Sequence, residues 1–205
     1  MTIRMPMFPL QSVVFPHTAL PLRVFEARYQ HLIDDVSAGD RTFGTVLIEK
    51  GSEVGGGDER FDVGTALRIA SISRLPESDH RRVIAAAVWR LRISRWVAEE
   101  PYPMADVEPW PDEPEDVPPA LLDEAESAIR RVLALASELG ADTSAIRVDL
   151  ATDPLTASYQ IAALAPVDPL DALALLSSSG PASRLLLCLE LLDGVADSLR
   201  DRLGG

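Results

Sequence analysis

The two halves of this chain follow different hydrophobic periods, and the change falls near residue 117. Residues 1 to 117 hold short apolar runs separated by proline, glycine and polar clusters, a pattern typical of strands joined by turns. Residues 118 to 203 are rich in leucine and alanine at helical spacing. The sequence therefore predicts an α+β protein with a β-rich subdomain over 1–117 and a helical subdomain over 118–205.

The first half is predicted to contain one helix, over Glu26 to Ala38, which Gly39 ends. Its apolar face consists of Tyr29, Leu32, Ile33 and Val36. The predicted strands are Ser12 to Phe15, Ala19 to Val24, Thr42 to Glu49, Val63 to Leu75, Arg82 to Val97 and Tyr102 to Trp110. The stretch Gly51 to Asp58 contains three consecutive glycines and is predicted to be a flexible loop.

Two of these runs are predicted to form a long hairpin, because the turn-rich segment Pro76 to Arg81 joins them. Apolar residues in the second run alternate with Arg90 and Arg92. Period two places these two arginines on the face opposite the core. The residues predicted to face the core are Val83, Ala85, Ala87, Trp89, Leu91 and Ile93.

An acidic, proline-rich segment connects the two halves. Between Arg95 and Arg130 there are eleven acidic residues and no basic one, and seven prolines fall between Pro101 and Pro119. This composition predicts a solvated linker or rim. The alternative is an acidic strip that docks onto a basic partner, with binding that weakens as salt is added.

About four helices are predicted in the second half. The first begins at Pro118, since proline is tolerated in a first helical turn, and ends at Gly140. Asp153 and Asp168 are each followed by proline, which combines an N-cap acid with a favoured first-turn residue. The last helix covers Pro181 to Leu203. Short connections favour packing of these helices against one another.

Charge and motif content argue against catalysis. The net charge of −13, from 32 acidic and 19 basic residues, makes nucleic acid an unlikely main partner, although a local basic patch would escape this argument. The only lysine, Lys50, lies outside any phosphate-binding loop and is predicted to be solvated. No nucleophile motif accompanies His17, His31 or His80, and no metal-ligand spacing is present. The sequence therefore predicts no catalytic residues, no cofactor and no metal.

The single cysteine, Cys188, lies in a run of leucines and is predicted to be a buried thiol. No stretch approaches the roughly 20 apolar residues of a membrane span. The segment Met1 to Phe8 lacks the apolar core of a secretory signal. We therefore expect a cytoplasmic protein.

Four short motifs follow one another near the start of the chain. They are Met7-Phe8-Pro9-Leu10, Val13-Val14-Phe15-Pro16, Leu20-Pro21-Leu22 and Phe25-Glu26-x-Arg28-Tyr29 with Leu32. In order and spacing they resemble the opening signature of the amino-terminal domain family of Lon proteases. Later segments fit as well, namely Phe43-Gly44-x-Val46, Gly64-Thr65, Arg90-Leu91-Arg92-Ile93 and Pro101-Tyr102. Leu91 is a mild departure, because the family more often has an aromatic residue there.

The resemblance implies a PUA-like six-stranded pseudo-barrel with one helix, followed by a helical bundle. It also implies a non-enzymatic module that captures exposed apolar segments of unfolded or tagged proteins, without the ATPase and peptidase domains of full Lon proteases. The alternatives are an ATP-independent peptidase or hydrolase of the Lon-related group, an RNA-binding PUA-like module and a small-molecule pocket between the two halves.

A client polypeptide is predicted to add to a strand edge or to lie in a groove between barrel and helices. The residues predicted near this surface are Phe15, Pro16, His17, Arg90, Arg92 and Trp96. The hypothesis depends on the non-core face of the hairpin and on a proline-rich turn that exposes apolar atoms. For Trp96 the alternative is core packing, and Glu26, Arg28 and Tyr29 are expected to be structural.

Overall fold

The computed structural model describes residues 1–51, 59–74, 80–98, 100–141 and 148–204. The predicted glycine loop, apart from Gly51, lies outside the described residues, as do Leu75 at the end of a predicted strand and residues 76–79 of the predicted hairpin turn. The chain divides into two compact units, Met1–Pro111 and Asp112–Gly205. Residues 112–117 thus group with the helices.

The first unit is a six-stranded antiparallel sheet with one helix. Its elements are β1 (Ile3–Pro6), β2 (Ala19–Val24), α1 (Ala27–Ala38), β3 (Thr42–Lys50), β4 (Glu59–Arg74), β5 (Arg81–Ala98) and β6 (Met104–Pro109). The strands lie in the order β1-β6-β5-β4-β3, and β2 pairs with β5. The long strand β5 pairs with β4 along one edge, and with β2 and then β6 along the other.

Residues that follow β1 close this sheet into the expected pseudo-barrel. The Phe8 N–H donates to the Gly44 carbonyl at 2.8 Å, and the Leu10 N–H donates to the Val46 carbonyl at 3.0 Å. The Ile48 N–H in turn donates to the Leu10 carbonyl at 2.8 Å. These bonds join one end of the sheet to β3 at the other end. Closure satisfies backbone groups that an open edge would leave unpaired.

The predicted strand over Ser12 to Phe15 is wrong, and the strand β1 was not predicted. Residues 11 to 18 form no strand. Val14 and Phe15 are buried, at 7% and 4% exposure, although they do not pair with any strand of the sheet. Their apolar side chains therefore reflect burial and not strand formation. The Thr65 hydroxyl donates to the Val14 carbonyl at 2.5 Å and holds this segment in place.

The remaining strand and helix predictions for this unit are confirmed. Helix α1 buries the four residues expected on its apolar face and ends at Gly39. The side chains of β5 that were predicted to face inward are buried, with Trp89 partly so. Glycine is required at position 64, because a Cβ there would lie 1.9 Å from the Thr45 carbonyl oxygen. Strands β3 and β4 approach each other closely at this point.

The second unit consists of four helices among the described residues, as expected. They are α2 (Pro119–Glu138), α3 (Pro154–Leu164), α4 (Pro169–Ser177) and α5 (Pro181–Gly204). Asp153 accepts a hydrogen bond from the Thr156 N–H at 2.9 Å, and Asp168 accepts from the Leu170 N–H at 2.8 Å. Both predicted N-caps are therefore confirmed. Helix α5 packs against the other three.

Candidate functional site

Among the described residues, strand β2 pairs with another strand along only one of its two edges. It pairs with β5 on one side, from Ala19 opposite Ala86 to Val24 opposite Arg81. Within the described part of the chain, no strand pairs with its other side. Pro21 near the middle of β2 has no N–H, which is tolerated in an edge strand. A free strand edge offers backbone donors and acceptors to an added polypeptide strand.

A pocket of about 150 Å³, lined mainly by apolar residues, lies along this strand. It is lined by Phe8, Leu10, Pro21, Leu22, Arg23, Val24, Phe25, Glu26 and Tyr29. The rings of Phe8 and Tyr29 stack with their centroids 4.0 Å apart, which fixes part of the lining. An apolar cavity of this size is large enough to hold a benzene ring, so one large apolar side chain fits.

Phe25 at the pocket is apolar and yet 48% exposed. Its ring centroid lies 5.9 Å from that of His80, and His80 Nδ1 lies 2.9 Å from Arg23 Nη2. Glu26 receives a hydrogen bond from Arg28 Nε at 3.2 Å, and the Arg28 guanidinium lies 4.5 Å from the centre of the Tyr29 ring. Glu26, Arg28 and Tyr29 thus contact one another as expected of structural residues.

A basic surface adjoins this pocket. The strand segments 19–24, 68–74 and 81–88 are neighbours in the sheet and contain no acidic residue. They carry five arginines, which are Arg23, Arg68, Arg74, Arg81 and Arg82. Arg81 forms a bidentate ion pair with Asp34 on α1, and this bond lowers the pKa of that carboxyl group. The other four are exposed. Arg74 lies directly opposite Arg81 in the pairing of β4 with β5 and so points to the same face as Arg81, whereas Arg23, Arg68 and Arg82 point to the other face. We call these three residues the arginine face.

Sequence reasoning missed both Phe25 and the arginine face. Phe25 carried a signal, because it is a large apolar residue that comes directly after Val24, the buried last residue of a predicted strand. The arginine face carried none in any single segment. It arises only when three segments become neighbours in the sheet.

Of the residues that the sequence placed at the surface in the first predicted turn, only His17 is exposed. Phe15 and Pro16 are buried, so the premise that this turn exposes apolar atoms is wrong for both. His17 has a φ of 62°, in the left-handed region. The turn is held by the Thr18 hydroxyl, which donates to the Phe15 carbonyl at 2.6 Å.

The second group of predicted residues also differs from expectation. Arg90 is only 2% exposed, because its guanidinium lies 4.4 Å from the centre of the Trp110 ring and is covered. Arg92 is exposed and lies 3.7 Å from the same ring centre. Trp96 is half-buried against the barrel core, and the Arg60 guanidinium lies 4.5 Å from its ring centre. The expected exposure of Arg90 is wrong, whereas a peptide contact by this group stays a prediction.

Two further predictions about single residues are confirmed. The Lys50 side chain is 71% exposed and forms an ion pair with Glu59 at 3.0 Å. Cys188 is fully buried, and desolvation raises the pKa of its thiol to about 12. Within the described ranges, no group of three or more His, Cys, Asp or Glu side chains has the geometry to hold a metal ion.

The acidic segment is not a simple solvated linker. Asp112 accepts hydrogen bonds from the fully buried Arg184 at 2.5 Å and from the Tyr159 hydroxyl at 2.6 Å. Glu115 accepts from the Ser183 N–H at 2.8 Å at the start of α5. Burial opposes ionisation of Glu115, but the bonds from Ser183 and its neighbours lower its pKa overall. These two acids therefore stabilise the helical unit.

The architecture and the site define a class of protein. A closed β-rich unit with a strand edge that no described strand covers, beside a largely apolar pocket, is suited to binding an extended chain. None of the described helices is both long enough and apolar enough to cross a bilayer.

Comparison with known proteins identifies the family. Residues 4–194 match the family described as the ATP-dependent protease La (LON) substrate-binding domain. The chain belongs to this family, whose domain is the part of Lon proteases that recognises substrates.

Solved structures and relatives agree with this assignment. A crystal structure of a Lon N-terminal domain protein from Xanthomonas campestris superposes with a TM-score of 0.69 at 25% identity, over 92% of this chain and 98% of that one. The N-terminal domain of a Mycobacterium avium complex Lon protease has the same fold, with a TM-score of 0.62 at 14% identity over 93% and 98% of the two chains.

Among sequence relatives, Lon protease 2 of Myxococcus xanthus is 30% identical over 201 residues, which are 96% of this chain and 24% of the relative. Lon protease of Flavobacterium johnsoniae is 31% identical over 127 residues, which are 59% of this chain and 15% of the relative. The chain thus spans a quarter or less of the length of these relatives.

Proposed function

We propose that this chain binds segments of unfolded or tagged proteins by strand addition to β2. The observation that carries the proposal is the edge of β2 that no described strand covers, beside a largely apolar pocket with a half-exposed phenylalanine. A client segment would pair its backbone with β2 and insert one large apolar side chain beside Phe25. Binding is then association, with no bond made or broken by this chain.

The expected affinity follows from the apolar area that is buried. Burial of one large apolar side chain contributes about 1.5–3 kcal/mol, and each 1.4 kcal/mol corresponds to about tenfold in Kd. Backbone hydrogen bonds add affinity with little sequence preference, whereas the pocket selects the apolar residue. Such a site accepts many clients that share an exposed apolar residue in an extended segment.

The first test replaces the exposed ring at the pocket. We expect Phe25→Ser to weaken binding of a fluorescein-labelled, permanently unfolded client by about tenfold or more, as measured by fluorescence anisotropy. The matched control is Val88→Ser on β5, which removes an apolar side chain of similar exposure, 45%, that does not line the pocket. Both substitutions lie at exposed positions, so circular dichroism should show unchanged folding. Equal affinities of the two variants would reject the pocket as the site.

Strand addition is tested on the client side. A bound peptide in which alternate backbone nitrogens are N-methylated cannot donate to β2, while its side chains are unchanged. We expect such a peptide to bind at least tenfold more weakly than its unmethylated form. Equal binding would mean that the client does not pair with the strand.

The surface predicted from the sequence, around His17 and Arg92, is an alternative position for the client-binding site. Its exposed members are His17 and Arg92. The double variant His17→Ala, Arg92→Ala should capture clients as the unchanged protein does, if the pocket beside β2 is the site. If the double variant lost as much client affinity as Phe25→Ser, the binding site would lie on this second surface instead.

The same proposal holds that the chain acts in the cytoplasm and does not cleave what it binds. Incubation with casein, with and without ATP, should leave the casein intact. Appearance of fragments would favour the peptidase alternative.

A further inference from the structure

The arginine face suggests which client segments bind, and this inference rests on the proposed function. Arg23 lies directly opposite Arg82 in the pairing of β2 with β5, and Ser73 lies opposite Arg82 on the far side. Side chains of directly opposed residues point to the same face of a sheet. The guanidinium groups of Arg23 and Arg82 therefore emerge side by side.

No described residue forms an ion pair with Arg23 or Arg82. Arg23 contacts the His80 ring. The acids Glu26 at the pocket and Asp34 on α1 are already paired, with Arg28 and Arg81 respectively. Like charges directly opposite each other destabilise a sheet. The chain has 32 acids, but none lies in the three neighbouring strand segments 19–24, 68–74 and 81–88. The two opposed arginines are thus suited to binding an anionic group.

Strand geometry connects this surface to the pocket. In a strand added to β2, successive side chains point to opposite faces. Those on the face of the buried residues Leu22 and Val24 point into the buried part of the pocket, whose exposed rim Pro21 and Arg23 line from the other face. Those on the other face lie next to Arg23, at the Cβ separation of about 4.5–5.5 Å that is usual for cross-strand neighbours. Every second residue of the added strand would thus face Leu22 and Val24, and the residues between them would face Arg23.

We propose that the site beside β2 selects extended polypeptide segments in which large apolar residues alternate with aspartate or glutamate. The apolar residues bind in the pocket, and the carboxylates pair with Arg23 and Arg82. A basic segment of the same apolar content is rejected by repulsion from these arginines.

The test uses four labelled nine-residue peptides and the full chain, with anisotropy at low salt. In the first three peptides leucine alternates with one other residue, which is glutamate, serine or lysine respectively. The fourth has the composition of the glutamate peptide, but its leucines form one block and its glutamates another. We expect the alternating glutamate peptide to bind roughly five- to tenfold more tightly than the serine peptide, and the lysine and block peptides to bind more weakly than either. Raising the salt concentration should reduce the preference for glutamate.

The variant Arg82→Gln isolates the electrostatic contribution, because Arg82 does not line the pocket. It should reduce the advantage of the glutamate peptide over the serine peptide to about twofold and leave serine-peptide binding unchanged. The control Arg131→Gln removes an equal charge from an exposed position on α2 and should change neither. Arg23 is left in place, since it belongs to the pocket lining.

The outcomes separate this inference from the proposed function. Equal binding of the glutamate, serine and lysine peptides overturns the inference but leaves strand addition standing. Failure of all four peptides to bind overturns both. A single-stranded RNA oligonucleotide that binds with the same dependence on Arg82, and displaces the glutamate peptide, also overturns it, because the face would then be a site for polyanions in general.

Discussion

Arg184 is, at the scale of single side chains, a charged group at the centre of a buried hydrogen-bond network in the helical unit. It is fully buried and donates to Asp112, to the Ser158 hydroxyl at 2.8 Å and to the Leu175 carbonyl at 3.2 Å. Its guanidinium also lies 3.7 Å from the centre of the Tyr159 ring. A buried charge is tolerated only when such partners replace the water that it loses.

Arg184→Leu should therefore lower the free energy of unfolding by about 3–5 kcal/mol, because it leaves Asp112 without its buried cation. Urea denaturation followed by circular dichroism measures this loss. Arg200→Leu is the control, since Arg200 forms an exposed pair with Asp197 on α5 that contributes about 0.2–1 kcal/mol. Similar losses for both variants would show that the buried network contributes no more than a surface pair.

Cys188 provides a second prediction at this scale. With a pKa of about 12 in the fully buried site, the thiol stays protonated at pH 8. We expect no reaction of the native protein with an aromatic disulfide reagent at this pH over minutes, and full reaction in concentrated urea. The reference pKa of 9.0, which applies to the unfolded chain, is lower than the folded value. As the pH rises from about 9 towards 12, the thiol ionises in the unfolded chain first, and the free energy of unfolding therefore falls. Fast labelling under native conditions would contradict the burial.

At the scale of elements, helix starts are fixed by local chemistry. Asp153 and Asp168 each accept from backbone N–H groups of the first turn, and the proline that follows each acid needs no partner for its nitrogen. The same arrangement explains why the sequence located these two helices so well.

Asp168→Ala should destabilise the helical unit by about 1 kcal/mol, because two N–H groups of α4, those of Leu170 and Asp171, lose their acceptor. Asp168→Asn should recover most of the loss, since an amide oxygen also caps a helix. Asp149→Ala, at an exposed position outside the helices, is the control and should change stability little. The measurement is thermal unfolding followed at 222 nm, and a loss that asparagine does not recover would argue against capping.

Charge is distributed unevenly at the scale of the whole molecule. Residues 1–111 carry 13 basic and 15 acidic residues, a net charge of −2, whereas residues 112–205 carry 6 basic and 17 acidic residues, a net charge of −11. The net charge of −13 therefore describes mainly the helical unit. The argument from bulk charge against an anionic partner does not apply to the β-rich unit, where the arginine face lies.

Self-repulsion within the helical unit should make its stability depend on salt. We expect its thermal midpoint to rise by a few degrees between about 10 mM and 150 mM sodium chloride, because the Debye length falls from about 30 Å to about 8 Å and like charges are screened. The buried pair of Arg184 with Asp112 is screened much less. A midpoint that falls with salt would show that attractive surface pairs outweigh the repulsion.

The sequence by itself determined the elements whose signals are local. Hydrophobic period fixed the inner face of β5 and the buried face of α1, and acid-proline pairs fixed the starts of α3 and α4. The motif order fixed the family. These features depend on residues within one or two turns of each other, so a single segment contains the information.

Only the tertiary structure decided which segments meet. Sequence could not show that residues 7–10 close the barrel on β3, that Trp110 covers Arg90, or that Arg23 emerges beside Arg82. Burial and pairing of this kind depend on register between strands distant in the chain, and a shift of one residue would turn every side chain to the other face. The candidate site depends on that register, because it consists of a strand edge, a pocket and a charged face contributed by separate segments.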